Sequence, residues 1–155
     1  ILTLIFFTSC EYKPIYSSSN KSDYKIIVTE QSGDKKLNKF LVENLSRNSQ
    51  KDSNKIVNIK INTTYSKIIL AKDSAGNVTN YQANALITFL VERNQTSENF
   101  DINEKFNFQK MSDKYEEKSY EENIKKNLAK SISQKLILRL SIPQWLLNHT
   151  KLIKL

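Results

Sequence analysis

Between Lys55 and Phe108 the apolar residues fall at every second position through three successive stretches, a period that builds strands and cannot build a helix. Val57, Ile59 and Ile61 alternate with Asn58, Lys60 and Asn62, and the pattern runs on less cleanly through Tyr65, Ile68, Ile69 and Leu70. After the turn signal Asp73-Ser74-Ala75-Gly76-Asn77, a second stretch puts Tyr81, Ala83, Ala85, Ile87, Phe89 and Val91 on one face and Asn80, Gln82, Asn84 and Thr88 on the other. A second turn at residues 94–97 leads to a third, with Phe100, Ile102, Phe106 and Phe108 set against Asp101, Asn103, Lys105 and Asn107. Three such strands in succession predict an antiparallel meander with one apolar and one polar face, so something else in the chain must cover the apolar one.

Two segments have the period needed for that cover. Leu37, Phe40, Leu41 and Leu45 recur at spacings of three and four and predict a helix over about residues 34–49. Burying these four side chains is worth about 6–12 kcal/mol gross, so this helix is not expected to stand alone. Ile124, Leu128, Ile132, Leu136 and Leu140 step by four, flanked by Ala129 and Ile137, and predict a long helix over about residues 114–140. Asp113 with Glu116 three residues later matches a capping box, and acidic residues precede basic ones along the helix in the order its dipole favours. Pro143 ends it. Tyr24-Lys25-Ile26-Ile27-Val28-Thr29 predicts a first strand, which joins the sheet parallel to a neighbour through the first helix. The predicted order is β-α-β-β-β-α: an α+β two-layer sandwich whose mostly antiparallel four-stranded sheet packs against two helices.

A chain of 155 residues is long enough for one such domain and short for two. The expected organisation is an export-signal remnant at 1–9, a lipidated N-terminus and linker at 10–22, the two-layer domain at 23–141 and a C-terminal tail at 142–155. The net charge of +8 favours an anionic partner, although lysine and asparagine are used heavily throughout and arginine only at Arg47, Arg93 and Arg139. Catalytic chemistry finds few candidates. The single histidine, His149, lies in the tail, and the acidic group at Glu116, Glu117, Glu121 and Glu122 reads as the first turns of a helix. No catalytic residue, metal site or cofactor is expected.

The start of the chain differs from the rest. Ile1-Leu2-Thr3-Leu4-Ile5-Phe6-Phe7 is too short to span a bilayer but fits the apolar core of a secretory signal. Thr8-Ser9-Cys10 follows it, small residues before the only cysteine, which resembles the bacterial lipobox, with Phe7 where leucine is usual. Acylation needs a sulfur nucleophile, and a lone cysteine excludes an intrachain disulfide. The alternative is that Cys10 is a small buried apolar residue. On the lipobox reading Cys10 is the lipidation site and the first residue of the mature chain.

Cys10-Glu11-Tyr12-Lys13-Pro14-Ile15-Tyr16 resembles the mature start of the lipopolysaccharide-assembly lipoproteins, the LptE family, whose alphaproteobacterial members commonly begin Cys-Gly-Phe-Arg-Pro-Leu-Tyr. Cys10, Pro14 and Tyr16 match as identities, Tyr12, Lys13 and Ile15 as close replacements, and Glu11 departs from the glycine. The resemblance implies a two-layer α/β domain and a role without catalysis. Members are anchored in the outer membrane on its periplasmic side, insert into the LptD β-barrel as a plug and assembly aid, and bind lipopolysaccharide. It makes an LptD-type barrel, lipopolysaccharide and, through acylated Cys10, membrane lipid the expected partners.

Lys60, Lys67 and Lys72, on one strand leading to the Gly76 turn, and Arg93, at the end of the next, are then candidate contacts for anionic sugar phosphates. The alternative for each is a solvated strand residue that discourages edge pairing. The tail segment Ile142-Pro143-Gln144-Trp145-Leu146-Leu147 fits an interfacial membrane segment, a barrel contact or a cover for the end of the core. Two other classes compete: a generic periplasmic lipoprotein that binds another envelope protein or peptidoglycan, and a basic nucleic-acid-binding domain suggested by charge and strand aromatics. Sedimentation with membranes in a Cys10-dependent manner separates the last from the others, and no nucleic-acid partner is expected.

Overall fold

The structure, a computed structural model, describes residues 22–142. The expected signal, Cys10, nearly all of the linker and the tail beyond Ile142 lie outside the described residues. The elements follow the order β1 (Lys25–Gly33), α1 (Lys35–Asn48), β2 (Ile56–Lys72), β3 (Val78–Arg93), β4 (Thr96–Gln109) and α2 (Lys114–Ser141). The strands form one sheet in the order β1-β2-β3-β4. β1 runs parallel to β2, and the other pairs are antiparallel, as the alternating periods predict.

Local chemistry sets the helix ends. Asp34 caps α1, its carboxylate accepting the Leu37 N–H at 2.8 Å, and Asp113 caps α2 by accepting from Tyr115 and Glu116 at 2.7 and 2.8 Å. The carboxylate that reaches back over the start of α2 is Glu117 rather than Glu116, and it accepts the Met111 N–H at 3.2 Å. α2 ends where Ile142 turns extended at ψ 126°, the conformation forced on a residue that precedes proline. The β3–β4 connection is a two-residue turn in which Asn94 and Gln95 both take positive φ, 48° and 64°, as a hairpin of this length requires.

Both helices lie on one face of the sheet, and the core fills the space between. Leu37, Leu41 and Leu45 of α1 and Ile124, Leu128, Ile132, Leu136 and Leu140 of α2 meet Val57, Ile59, Ile61, Ile87, Phe89 and Val91 from the central strands. Ala83 and Ala85 are fully buried on β3, and Ala129 and Ser133 on α2 are similarly enclosed.

The first strand runs further than its apolar pattern. A register shift between Val28 and Glu30 breaks the alternation, and β1 continues through Glu30, Gln31 and Ser32 to Gly33. Gly33 takes φ +94° where the chain leaves the sheet, and a Cβ there would stand 1.8 Å from the Thr63 carbonyl oxygen. Gly76 has a similar φ of +85° with nothing within 4 Å of its missing Cβ. The two glycines therefore predict different outcomes in urea unfolding. Gly76→Ala costs about 1 kcal/mol, the conformational term alone. Gly33→Ala adds a backbone collision and lowers stability by at least about 3 kcal/mol. Equal losses at the two sites would show that the Gly33–Thr63 approach does not constrain the fold.

Candidate functional site

The sheet has two unlike faces because the helices cover only one. The uncovered face displays Asn58, Lys60, Asn62, Thr64 and Ser66 from β2 beside Thr88, Asn84 and Gln82 from β3, and Asp101, Asn103 and Asn107 from β4. Polar side chains pair across its strands: Thr88 donates to Asp101 at 2.7 Å, Gln82 to Asn107 at 2.9 Å and Ser32 to Asn62 at 3.1 Å. The face is not uniformly polar. Leu86 and Leu90 occupy two outward positions on β3, and Ile68 another on β2. A shallow depression lies between β1 and β3, lined by Glu30, Lys60, Asn62, Thr88, Leu90 and Asn99.

The four expected ligand contacts do not converge. Lys60 is on the open face, about half exposed and 3.2 Å from Glu30 of β1. Lys72 is exposed at the end of β2. Lys67 and Arg93 fall on the other parity and point into the helical layer. Lys67 Nζ lies 2.6 Å from Glu117 and 3.3 Å from Glu121, both on α2, and 4.2 Å above the Tyr81 ring. Burial alone would lower its pKa, but the Glu117 hydrogen bond and the Glu121 charge hold it above the ordinary lysine value. In turn the Lys67 hydrogen bond holds Glu117 below the usual carboxylate range, against its partial burial.

One turn further along α2, Lys125 donates to Asp34 at 2.8 Å and sits 4.0 Å above the Tyr65 ring. Partial burial works to raise the Asp34 pKa, yet the Lys125 and Leu37 hydrogen bonds bring it below normal. Burial and the neighbouring Glu121 carboxylate push the Tyr65 hydroxyl well above the ordinary tyrosine value.

Arg93 is 5% exposed, and its Nη1 donates to the Leu140 carbonyl at 2.9 Å. A cation on the last carbonyls of α2 satisfies an orphan acceptor and opposes the negative end of the helix dipole. Its Nε and Nη2 have no hydrogen-bond partner among the described residues. The sequence carried the signal for both placements. Lys67 shares the odd parity of Val57, Ile59 and Ile61, and Arg93 that of Tyr81 to Val91.

Among the described residues no group of His, Cys, Asp and Glu could hold a metal ion, and no helix is long and apolar enough to cross a membrane. The arrangement offers binding surfaces. Its two ends also differ. Ser22 donates its N–H to Asn48 at the end of α1, and Arg93 holds the end of α2, so the described segment begins and ends at one pole. The Asp73–Asn77 turn lies at the other. It is pinned by Asp73, whose carboxylate accepts the Ala75 and Asn77 N–H groups at 2.9 and 2.8 Å.

No family model matches the sequence, and no curated protein matches it significantly. Solved structures do share its fold. A candidate lipoprotein from Caulobacter crescentus CB15 aligns with a TM-score of 0.56 at 10% identity, covering 84% of this chain and 94% of its own. Uncharacterized lipoprotein B from Nitrosomonas europaea aligns at 0.50 with 12% identity, covering 79% of this chain and 87% of its own. Rare lipoprotein B from Shewanella oneidensis aligns at 0.47 with 17% identity, covering 79% of this chain and 96% of its own. At these identities the likeness establishes the fold: a two-layer α+β architecture found in bacterial lipoproteins.

The ion pairs under α2 make stability depend on pH in a definite direction. Glu117 and Asp34 have depressed pKa values in the folded state, so their contribution is present above the unfolded carboxylate values near pH 4 and is lost as pH falls through the folded ones. The Lys67 contribution has the opposite sign, present below the unfolded lysine value of about 10.4 and lost as pH rises through the folded one. Urea midpoints are therefore expected to be flat from about pH 6 to 9 and to fall below about pH 5, and Glu117→Gln with Asp34→Asn flattens the acid limb. Lys67→Met leaves two part-buried glutamates facing each other and lowers stability at pH 7 by about 1–2 kcal/mol. An unchanged midpoint in Lys67→Met would show that the cluster contributes nothing.

Proposed function

We propose that the chain is a noncatalytic lipoprotein subunit of the outer-membrane lipopolysaccharide translocon, of the LptE type and with the alphaproteobacterial form of its N-terminus. It is anchored through acylated Cys10 on the periplasmic side. There it plugs and stabilises an LptD-type β-barrel and binds lipopolysaccharide in transit. The observation that carries this reading is the conjunction of the Cys10–Tyr16 motif with a fold shared by bacterial lipoproteins. Two features support it. Among the described residues one whole sheet face is uncovered and mostly polar, which suits the wet lumen of a barrel. The described segment begins and ends at one pole, so an anchor upstream leaves the Asp73–Asn77 turn directed away from it.

On this reading Lys60 and Lys72 are the ligand contacts available to sugar phosphates, because each is exposed and on or beside the open face. Lys67 and Arg93 serve the fold, one as the partner of two glutamates and the other as the cap of α2.

Affinity purification from detergent-solubilised membranes tests the proposal. A large β-barrel is expected to co-purify with the chain, and Cys10→Ser is expected to remain unacylated and to leave the membrane fraction. The double substitution Lys60→Ala, Lys72→Ala should weaken lipopolysaccharide binding about 3–10-fold without changing the urea midpoint, as loss of surface charge contacts does. Recovery of peptidoglycan or another envelope protein in place of a barrel would replace the transport role with that of a generic periplasmic lipoprotein.

A further inference from the structure

β1 stops halfway along β2. Pairing between them ends at Gly33 and Thr63, where the chain turns into α1, and among the described residues no strand pairs with β2 on that side over residues 64–72. At about 3.3 Å per residue this is an open edge of about 30 Å. Its backbone geometry is that of a template. Thr63 turns its carbonyl toward β1, accepting the Asp34 N–H at 3.2 Å, so Tyr65, Lys67 and Ile69 direct their own N–H and C=O groups outward along the same edge.

The side chains along this edge lack most of the devices that keep such edges unpaired. Ile68, Ile69 and Leu70 are consecutive and 48%, 53% and 47% exposed, and no proline interrupts β2. An inward-pointing charge usually forbids an incoming strand because its charge would be stranded. Here Lys67 is already paired with Glu117 and Glu121, so an incoming strand strands nothing. Only two register shifts blunt the edge, one between Ile69 and Ala71 and one between Ala71 and Lys72, and both follow Ile69.

We propose that this edge pairs with the same edge of a second copy of the chain, antiparallel and centred on Ile69, to give a continuous eight-stranded sheet. That register is self-complementary. Ile69 faces Ile69 of the second copy in a pair that exchanges both backbone hydrogen bonds. Ile68 faces Leu70 on the open side of the sheet. Lys67 meets Ala71 and Lys72 meets Ser66, so no lysine faces another in a molecule of net charge +8. The dyad leaves both helical layers on one side and both open faces on the other. It needs neither Cys10 nor Lys60, and its readouts are self-association and crosslinking rather than barrel or lipopolysaccharide binding, so its failure and that of the proposed transport role are distinguishable.

Cysteine crosslinking tests it on the full chain carrying Cys10→Ser in detergent, which leaves the introduced thiol as the only one. Facing residues of a hydrogen-bonded antiparallel pair have Cα atoms about 5.5 Å apart, within disulfide range. Ile69→Cys is therefore expected to form an intermolecular disulfide on mild oxidation. Lys72→Cys, whose two copies lie about 20 Å apart in this register, is expected to crosslink at least ~10-fold more slowly. In sedimentation, the Cys10→Ser chain should move from monomer to dimer mass by about 0.1 mM, a concentration suited to so small an interface, and Ile69→Lys should stay monomeric with unchanged circular dichroism. A monomer throughout that range overturns the proposal and leaves the edge to a strand from another protein. Equal crosslinking at positions 69 and 72 overturns the register.

Discussion

The contact between Gly33 and Thr63 decides more of this molecule than any other. The missing Cβ at Gly33 lets two backbones approach more closely than any other residue would allow, and there the first strand gives way to the first helix. Asp34, the next residue, donates its N–H to the Thr63 carbonyl and caps α1 with its side chain, so the end of a strand and the start of a helix share one residue. The Thr63 side chain completes the junction. It is 2% exposed, its hydroxyl lies 3.0 Å from Asn38 Oδ1, and the Asn38 amide donates to the Ser32 carbonyl at 2.9 Å. Buried polar groups of this kind are tolerated because they satisfy one another, and they fix where α1 begins relative to the sheet.

From that junction the helical layer divides into a polar clamp and an apolar seam. The first turns of α2 reach the sheet through charge: Glu117 and Glu121 hold Lys67, and Lys125 holds Asp34, with Tyr81 and Tyr65 beneath the two ammonium groups. The rest of α2 reaches it through Leu128, Ile132, Leu136 and Leu140. At the end of that seam Arg139 stacks 3.9 Å over Phe100 and pairs with Glu98, and Arg93 takes the Leu140 carbonyl. Area burial supplies most of the attraction along the seam, and the clamp sets its register because a charge pair tolerates less sliding than an apolar surface does.

This division explains which parts of the fold could be read from the sequence. The helices and the three long strands were legible because their signals are local: period, caps and turn residues. Asp34 and Asp113 marked the starts of the helices, and the alternation from Val57 and from Tyr81 marked the faces of the sheet. The tail of β1 was not legible, because Glu30, Gln31 and Ser32 follow a bulge on an edge strand and have no face to keep apolar. Among the candidate site residues, the charge of Lys67 and Arg93 suggests ligand contacts while their parity points inward. A lysine on an apolar face makes sense only once two glutamates about fifty residues further along the chain stand above it, and no local pattern encodes that pairing.

A four-stranded sheet with two helices can bury one face, and the other must then be acceptable to water or to a partner. Here the open face meets that condition with cross-strand amide, hydroxyl and carboxylate pairs, and Leu86 and Leu90 remain as an apolar minority. The same economy of elements leaves β1 too short to protect all of β2, since lengthening it would require the chain to pass Thr63 without turning. The glycine that makes the α1 junction possible is thus also the reason that the apolar run at Ile68, Ile69 and Leu70 lies on an uncovered edge. An uncovered face and an uncovered edge are separate consequences of one topology. They differ in chemistry, the face offering side-chain polar groups and the edge offering backbone ones, so a polar ligand and a paired strand can occupy the molecule at once without competing for the same atoms.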